Sequence, residues 1–128
     1  MKTITLVFGA VYGMLSVILG AFGAHALKKI LSVERLESFE TGVRYQMYAA
    51  FFLLIVGYML KFDTSSQKWI SILMIAGTML FSFSIYGLSM QDYFGINLKF
   101  LGPITPLGGL LMIVSWALLI FYVAKNRI

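Results

Sequence analysis

Residues 3–24 read TITLVFGAVYGMLSVILGAFGA, an apolar run without a charge that closes on Ala24-His25-Ala26-Leu27-Lys28-Lys29. A bilayer core about 30 Å thick is crossed by about 20 apolar helical residues, so this stretch predicts a membrane-spanning helix. Within it Gly9, Gly13, Ser16, Gly20 and Gly23 follow one another at steps of four and three. On a helix that spacing makes one narrow ridge where a second backbone can approach closely. Gly9, Gly13, Gly20 and Gly23 are therefore expected to face another helix, within the chain or across a dimer. Lys2 before an apolar run and the small-x-small form of Ala24-His25-Ala26 also suit a secretory leader. The apolar region of a leader covers about 7–15 residues, however, and this one is longer, so the stretch is expected to remain a span.

The rest of the chain has the same character. It is 60% hydrophobic and 12% charged, where soluble domains carry roughly a quarter of their residues charged. The predicted fold is an all-α integral membrane protein, one transmembrane domain over 1–128. Four transmembrane helices over 4–26, 43–62, 69–90 and 106–124 form an antiparallel bundle, and a short amphipathic interfacial helix over 33–42 lies between the first and second. Ser32 is placed to cap that surface helix, in which Val33, Leu36, Phe39 and Val43 recur on one face and Thr41-Gly42 marks a bend into the second span. In the third span Ser71, Thr78, Ser82 and Ser89 share one face, a stripe read as a helix contact. The connection from Gln91 to Thr105 is apolar for a loop and is expected to rest in the interface. Thr105 is expected to cap the fourth helix with Pro106 at its first position, and Gly108 and Gly109 to serve close helix packing. A sharper reading of this glycine- and proline-interrupted start is a set of free N–H groups able to hold an anion.

The net charge of +5 comes from ten bases against five acids, and the bases sit at the ends of apolar runs as headgroup anchors. No nucleic-acid partner is implied. The absence of cysteine excludes disulfides and thiolate chemistry, and a single histidine cannot build a histidine-based metal cluster. No catalytic residue, metal site or cofactor is expected, and the chain reads as not an enzyme. The one gathering of ionisable groups is His25, Glu40 and Arg44, with Tyr45 and Gln46 beside them. By helical periodicity Glu40 falls among Leu36, Val43 and Met47, so a partner is expected for it in Arg44 or His25. This polar cluster is the candidate site for a lipid headgroup or a partner segment, or else a lock holding the surface helix to the bundle.

Three blocks in order then carry a resemblance. Gly20-Ala21-Phe22-Gly23-Ala24-His25-Ala26-Leu27, Phe39-Glu40-Thr41-Gly42 with Tyr45-Gln46-Met47-Tyr48, and Gly102-Pro103-Ile104-Thr105-Pro106-Leu107-Gly108-Gly109 resemble the small bacterial membrane proteins of domain of unknown function 423, also called uncharacterised protein family 0382. The similarity covers essentially the whole chain. It implies four transmembrane helices in a bacterial cytoplasmic membrane and brings no established activity. Two departures matter: Ala49 stands where the family commonly has a histidine, and Phe83-Ser84-Ile85-Tyr86 where it commonly has Gly-Ser before a leucine and tyrosine. A mechanism needing two histidines would be absent here.

The expected role is a non-enzymatic interaction or assembly component of the bacterial inner membrane, with membrane lipid and a homo-oligomer or another membrane protein as partners. The alternative is a small-solute or ion conduit formed by an oligomer. Lys2, Lys61, Lys68, Lys125 and Arg127 fall on the side of the termini, and Lys28, Lys29, Arg35, Arg44 and Lys99 on the other, a tie in the positive-inside rule. Cytoplasmic termini are expected because the termini side carries one acid, Asp63, and the other side four.

Overall fold

A computed structural model describes residues 1–126. Helix α1 runs over Lys2–His25, α2 over Val33–Met59, α3 over Ser65–Phe94 and α4 over Ile104–Asn126, with short 3-10 turns at Leu27–Lys29 and Lys99–Leu101. Local chemistry sets several of these ends. Ser32 accepts from the Arg35 N–H at 3.2 Å and Glu34 occupies the first turn, so α2 starts on a side-chain cap and a favourable charge. Helix α3 stops at Gly95, whose φ of 68° lets the Ile96 N–H turn back to the Gln91 carbonyl at 3.2 Å. Between α2 and α3 the buried Phe62 holds φ at 58°, a conformation disfavoured for a side chain with a Cβ. Gln67 fixes it, accepting from the Phe62 N–H at 2.6 Å and donating to Asp63 Oδ1 at 2.9 Å.

The separate surface helix expected over 33–42 is not an element of the structure. Helix α2 continues from Val33 through Thr41-Gly42 to Met59 without a break. Gly42 is required for close packing: a Cβ there would stand 2.7 Å from the Tyr86 ring, and its carbonyl accepts from Ser82 Oγ at 2.8 Å. The glycine lets α3 come close and ends no helix. Three helical stretches are long and apolar enough to cross a membrane, Lys2–Lys29, Ser65–Phe94 and Lys99–Lys125. Helix α2 is long enough, but Glu34, Arg35, Glu37, Glu40 and Arg44 crowd its first half.

Each helix lies against the next in sequence, α1 on α2, α2 on α3 and α3 on α4, and α1 meets α3 at few points, among them Thr5 and Tyr12. The directions alternate, since Gly9 and Gly23 of α1 face Leu54 and Phe39 of α2 in reversed order. Phe52, Leu53, Val56, Ile70 and Met74, all from α2 and α3, form the middle of the core, joined by Tyr12 from α1 and Met112 from α4. Helices α1 and α4 are flanks that leave rows of apolar side chains outward, such as Val7, Val17 and Phe22 on one and Leu110, Ile120 and Phe121 on the other. In lipid such faces cost nothing.

The four α1 glycines all face α2. Gly9 is the tightest, a Cβ there standing 3.2 Å from the Ala50 carbonyl, while Gly13 and Gly20 have Ala50 and Val43 at 3.7 and 3.5 Å. The closest backbone approach lies elsewhere. A Cβ on Gly77 would be 2.8 Å from the Gly108 carbonyl, and one on Gly108 would run into the Phe81 amide nitrogen.

Candidate functional site

The polar residues of the interior are used to join helices. Fully buried Gln46 of α2 donates from Nε2 to the Tyr12 carbonyl at 3.0 Å and accepts at Oε1 from the Tyr86 hydroxyl at 2.6 Å, so one amide binds α1 and α3 together. Ser16 donates to the same Tyr12 carbonyl at 2.7 Å, and the Tyr12 hydroxyl donates to the Ile75 carbonyl at 2.7 Å. Nearer the termini Thr5 and Ser71 share a hydrogen bond of 2.6 Å, and Ser115 of α4 donates to the Ile70 carbonyl at 2.5 Å. A buried polar group in an apolar setting costs free energy unless it is bonded, so these pairs fix helix register.

The structure does not assemble His25, Glu40 and Arg44. His25 is exposed at the end of α1 beside Lys28 and Lys29, and Arg44 donates from Nη2 to Thr41 Oγ1 at 3.1 Å. Glu40 is half-buried and forms no ion pair with either. Tyr45 is exposed, its ring edge-on to Tyr48 and Phe81, and Gln46 alone of the five is inside. Arg44 takes its hydrogen bond from its own helix, at Thr41, and Phe39 rather than Glu40 is the residue that α2 turns onto the end of α1 at Gly23.

Among the described residues the one salt bridge joins Arg35 Nε to Asp92 Oδ2 at 3.1 Å, with Arg35 Nη1 donating to the Leu88 carbonyl at 3.3 Å. Sequence reasoning missed it because the pair joins the start of α2 to the end of α3, a proximity that periodicity cannot supply. Lys2 was an expected anchor; its Nζ reaches the Tyr58 and Leu60 carbonyls at 3.3 and 3.4 Å, at the negative end of α2. Arg127 lies outside the described residues.

Thr105 is not the cap of α4. The helix begins at Ile104, which makes Thr105 its second residue and Pro106 its third. The Thr105 hydroxyl instead meets Ser84 Oγ at 2.5 Å. Of the serine and threonine stripe on α3, Ser71, Thr78 and Ser82 are buried and bonded. Ser89 is buried too, and its Oγ is the one buried side-chain polar atom among the described residues with no hydrogen-bond partner. It lines a groove with Arg35, Ser38, Leu88, Gly102 and Thr105, where the end of α3 meets the starts of α2 and α4.

The sequence model of the family described as "Protein of unknown function (DUF423)" matches residues 19–109. The chain belongs to DUF423. This DUF423 chain is 38% identical to a UPF0382 membrane protein of Staphylococcus haemolyticus over 94% of both chains. It is 37% identical to the UPF0382 membrane protein YwdK of Bacillus subtilis over 94% of this chain and 95% of that one. A UPF0382 membrane protein of Schizosaccharomyces pombe is 38% identical over 84% of this chain and 91% of its own length, so DUF423 is not confined to bacteria. No solved structure matches the chain. The matched region holds Gly20 and Gly23 of α1, Gln46 and Tyr86 but not Tyr12, the whole Ser89 groove and the α3–α4 glycine contact.

Proposed function

We propose that this DUF423 protein is a non-enzymatic interaction or assembly component of a bacterial cytoplasmic membrane, crossing it four times with both termini in the cytoplasm. The observation that carries this reading is the use of the interior polar groups, which hold helices to one another at Gln46, Tyr12, Ser71 and Ser115. Catalysis or proton transfer would need ionisable groups at one depth, and a conduit would need polar groups turned toward a wet path. Helix α2 is counted as the fourth span because its charges end at Arg44 and its remaining length lies between α1 and α3. At about 1.5 Å per residue its 27 residues span about 40 Å against a bilayer core of about 30 Å, which lets Glu34, Arg35 and Glu37 stand in the headgroups.

The experiment is cross-linking in the native membrane, followed by gentle solubilisation and identification of what remains attached. A defined oligomer or a reproducible protein partner is the expected result. Recovery of a monomer in bulk lipid alone would overturn the assembly reading.

A further inference from the structure

Two grooves lie in line along α2, α3 and α4. The upper one is lined by Arg35 and Ser38 of α2, Leu88 and Ser89 of α3, and Gly102 and Thr105 at the start of α4. The lower one is lined by Tyr45 of α2, Phe81 of α3, and Gly109, Met112, Ile113 and Trp116 of α4. Ser38 to Tyr45, Leu88 to Phe81 and Thr105 to Gly109 are separated by seven, seven and four residues, so on each helix the two sets share a face. The upper groove is therefore aligned with the lower one along the same helix faces.

The chemistry changes along it. At the top Arg35 spends Nε on Asp92 and Nη1 on Leu88, which leaves Nη2 for a ligand. The positive ends of α2 and α4 converge there, and no carboxylate lines the groove. Ser89 Oγ is a buried donor without an acceptor, a state that costs free energy unless something supplies one. Below, the walls are aromatic and apolar, with Tyr45 and Trp116 both exposed. From Thr105 to Trp116 the helix advances about 16 Å, close to half of a bilayer core about 30 Å thick.

We infer that the groove holds a phosphate-bearing glycerolipid, its phosphate between Arg35, Ser38 and Ser89 at the start of α4 and one acyl chain against Tyr45, Phe81 and Trp116. A free phosphate would satisfy only the upper half. The inference rests on the reading that α2 crosses the membrane beside α3 and α4.

The test uses the full chain, delipidated in detergent, with dioleoyl phosphatidylglycerol as probe, and inorganic phosphate and dioleoylglycerol as its separate head and tail. Bound lipid is counted by native mass spectrometry and protection by the shift in melting temperature. Phosphatidylglycerol should bind and raise the melting temperature, and neither half alone should do so at the same concentration. Arg35→Gln, Ser89→Ala and Gly109→Leu should each weaken binding by about fivefold or more, the scale of one lost charged or hydroxyl contact. Arg44→Gln, outside the groove, should bind as the wild type does. Because Ser89 Oγ has no partner, Ser89→Ala should melt no lower without lipid, which separates loss of a site from loss of the fold. Equal binding by wild type and all three groove variants would overturn the proposal, and so would full protection by inorganic phosphate alone. Cysteine labelling that places both ends of α2 on one side of the membrane would instead remove the topology on which it rests.

Discussion

The Tyr86 hydroxyl donates to Gln46 Oε1 at 2.6 Å, joining a half-buried ring on α3 to a fully buried amide on α2. Gln46 also donates to the Tyr12 carbonyl, but that carbonyl keeps Ser16 as a second donor. Removing the amide therefore strands Tyr86 far more than Tyr12. Gln46→Leu should lower stability by about 1 kcal/mol, the scale of an interhelical hydrogen bond in a membrane. Adding Tyr86→Phe should restore part of the loss, since both partners are then apolar. Thermal denaturation in detergent measures both; a double variant as unstable as the sum of the singles would mean that the pair is not coupled.

The glycines divide into tolerant and intolerant positions. A Cβ at Gly13 or Gly20 meets a neighbour at ordinary contact distance, and alanine is the better helix former by about 1 kcal/mol. Gly13→Ala and Gly20→Ala should be neutral or stabilising, whereas leucine at either should separate α1 from α2 and lower the melting temperature. Gly108→Ala should cost at least about 2 kcal/mol because its Cβ would press on the α3 backbone, which has nowhere to go. An equal response at Gly20 and Gly108 would contradict the geometry.

Thr105 and Ser84 share one hydrogen bond between α4 and α3. Thr105→Val and Ser84→Ala should each cost about 1 kcal/mol, and the double variant little more than either single one. Asn in place of Thr105 distinguishes this from capping, since a cap tolerates asparagine well. Stability retained in Thr105→Asn and lost in Thr105→Val would restore the capping role.

The chain contains no cysteine, so single cysteines can be placed on an otherwise silent background. Ser32→Cys and Asn97→Cys should react with a membrane-impermeant maleimide in intact cells. Asp63→Cys should react only after the membrane is opened. Labelling of residues 32 and 63 from the same side would show that α2 does not cross.

Much of the helical order was legible because apolar length and glycine spacing act within one helix. The α1 ridge, the polar turn after α2 and the buried stripe on α3 are of that kind. Gly42 shows where such reading stops: a glycine after a threonine in a charged stretch signals a bend, and only the Tyr86 ring from another helix explains why a glycine stands inside a continuous α2. The candidate site shows the same limit. Helical periodicity and the four-residue step group Glu40 with Arg44, yet the one ion pair among the described residues is Arg35–Asp92, and the Ser89 groove draws its residues from three helix ends separated by long stretches of chain. Thr105 was placed on the right element but given a backbone partner, because Ser84 lies on a face of α3 that the sequence does not align with α4.

The order of helix contacts has a consequence for how the chain reaches this state. Each new helix finds its main partner in the one synthesised just before it, and the final one, α4, rests chiefly on α3 with the Phe52–Trp116 ring pair reaching α2. Contacts so local in sequence need no slow search between distant segments. The exceptions are the links from α1 to α3 at Thr5–Ser71 and Tyr12–Ile75, which cannot form until the third helix has been made. Until then Thr5 can still turn to the Met1 carbonyl, 2.7 Å away on its own helix, and the Tyr12 hydroxyl waits for its acceptor. Arrival of α3 during synthesis therefore supplies the acceptor for the Tyr12 hydroxyl after α1 has packed on α2.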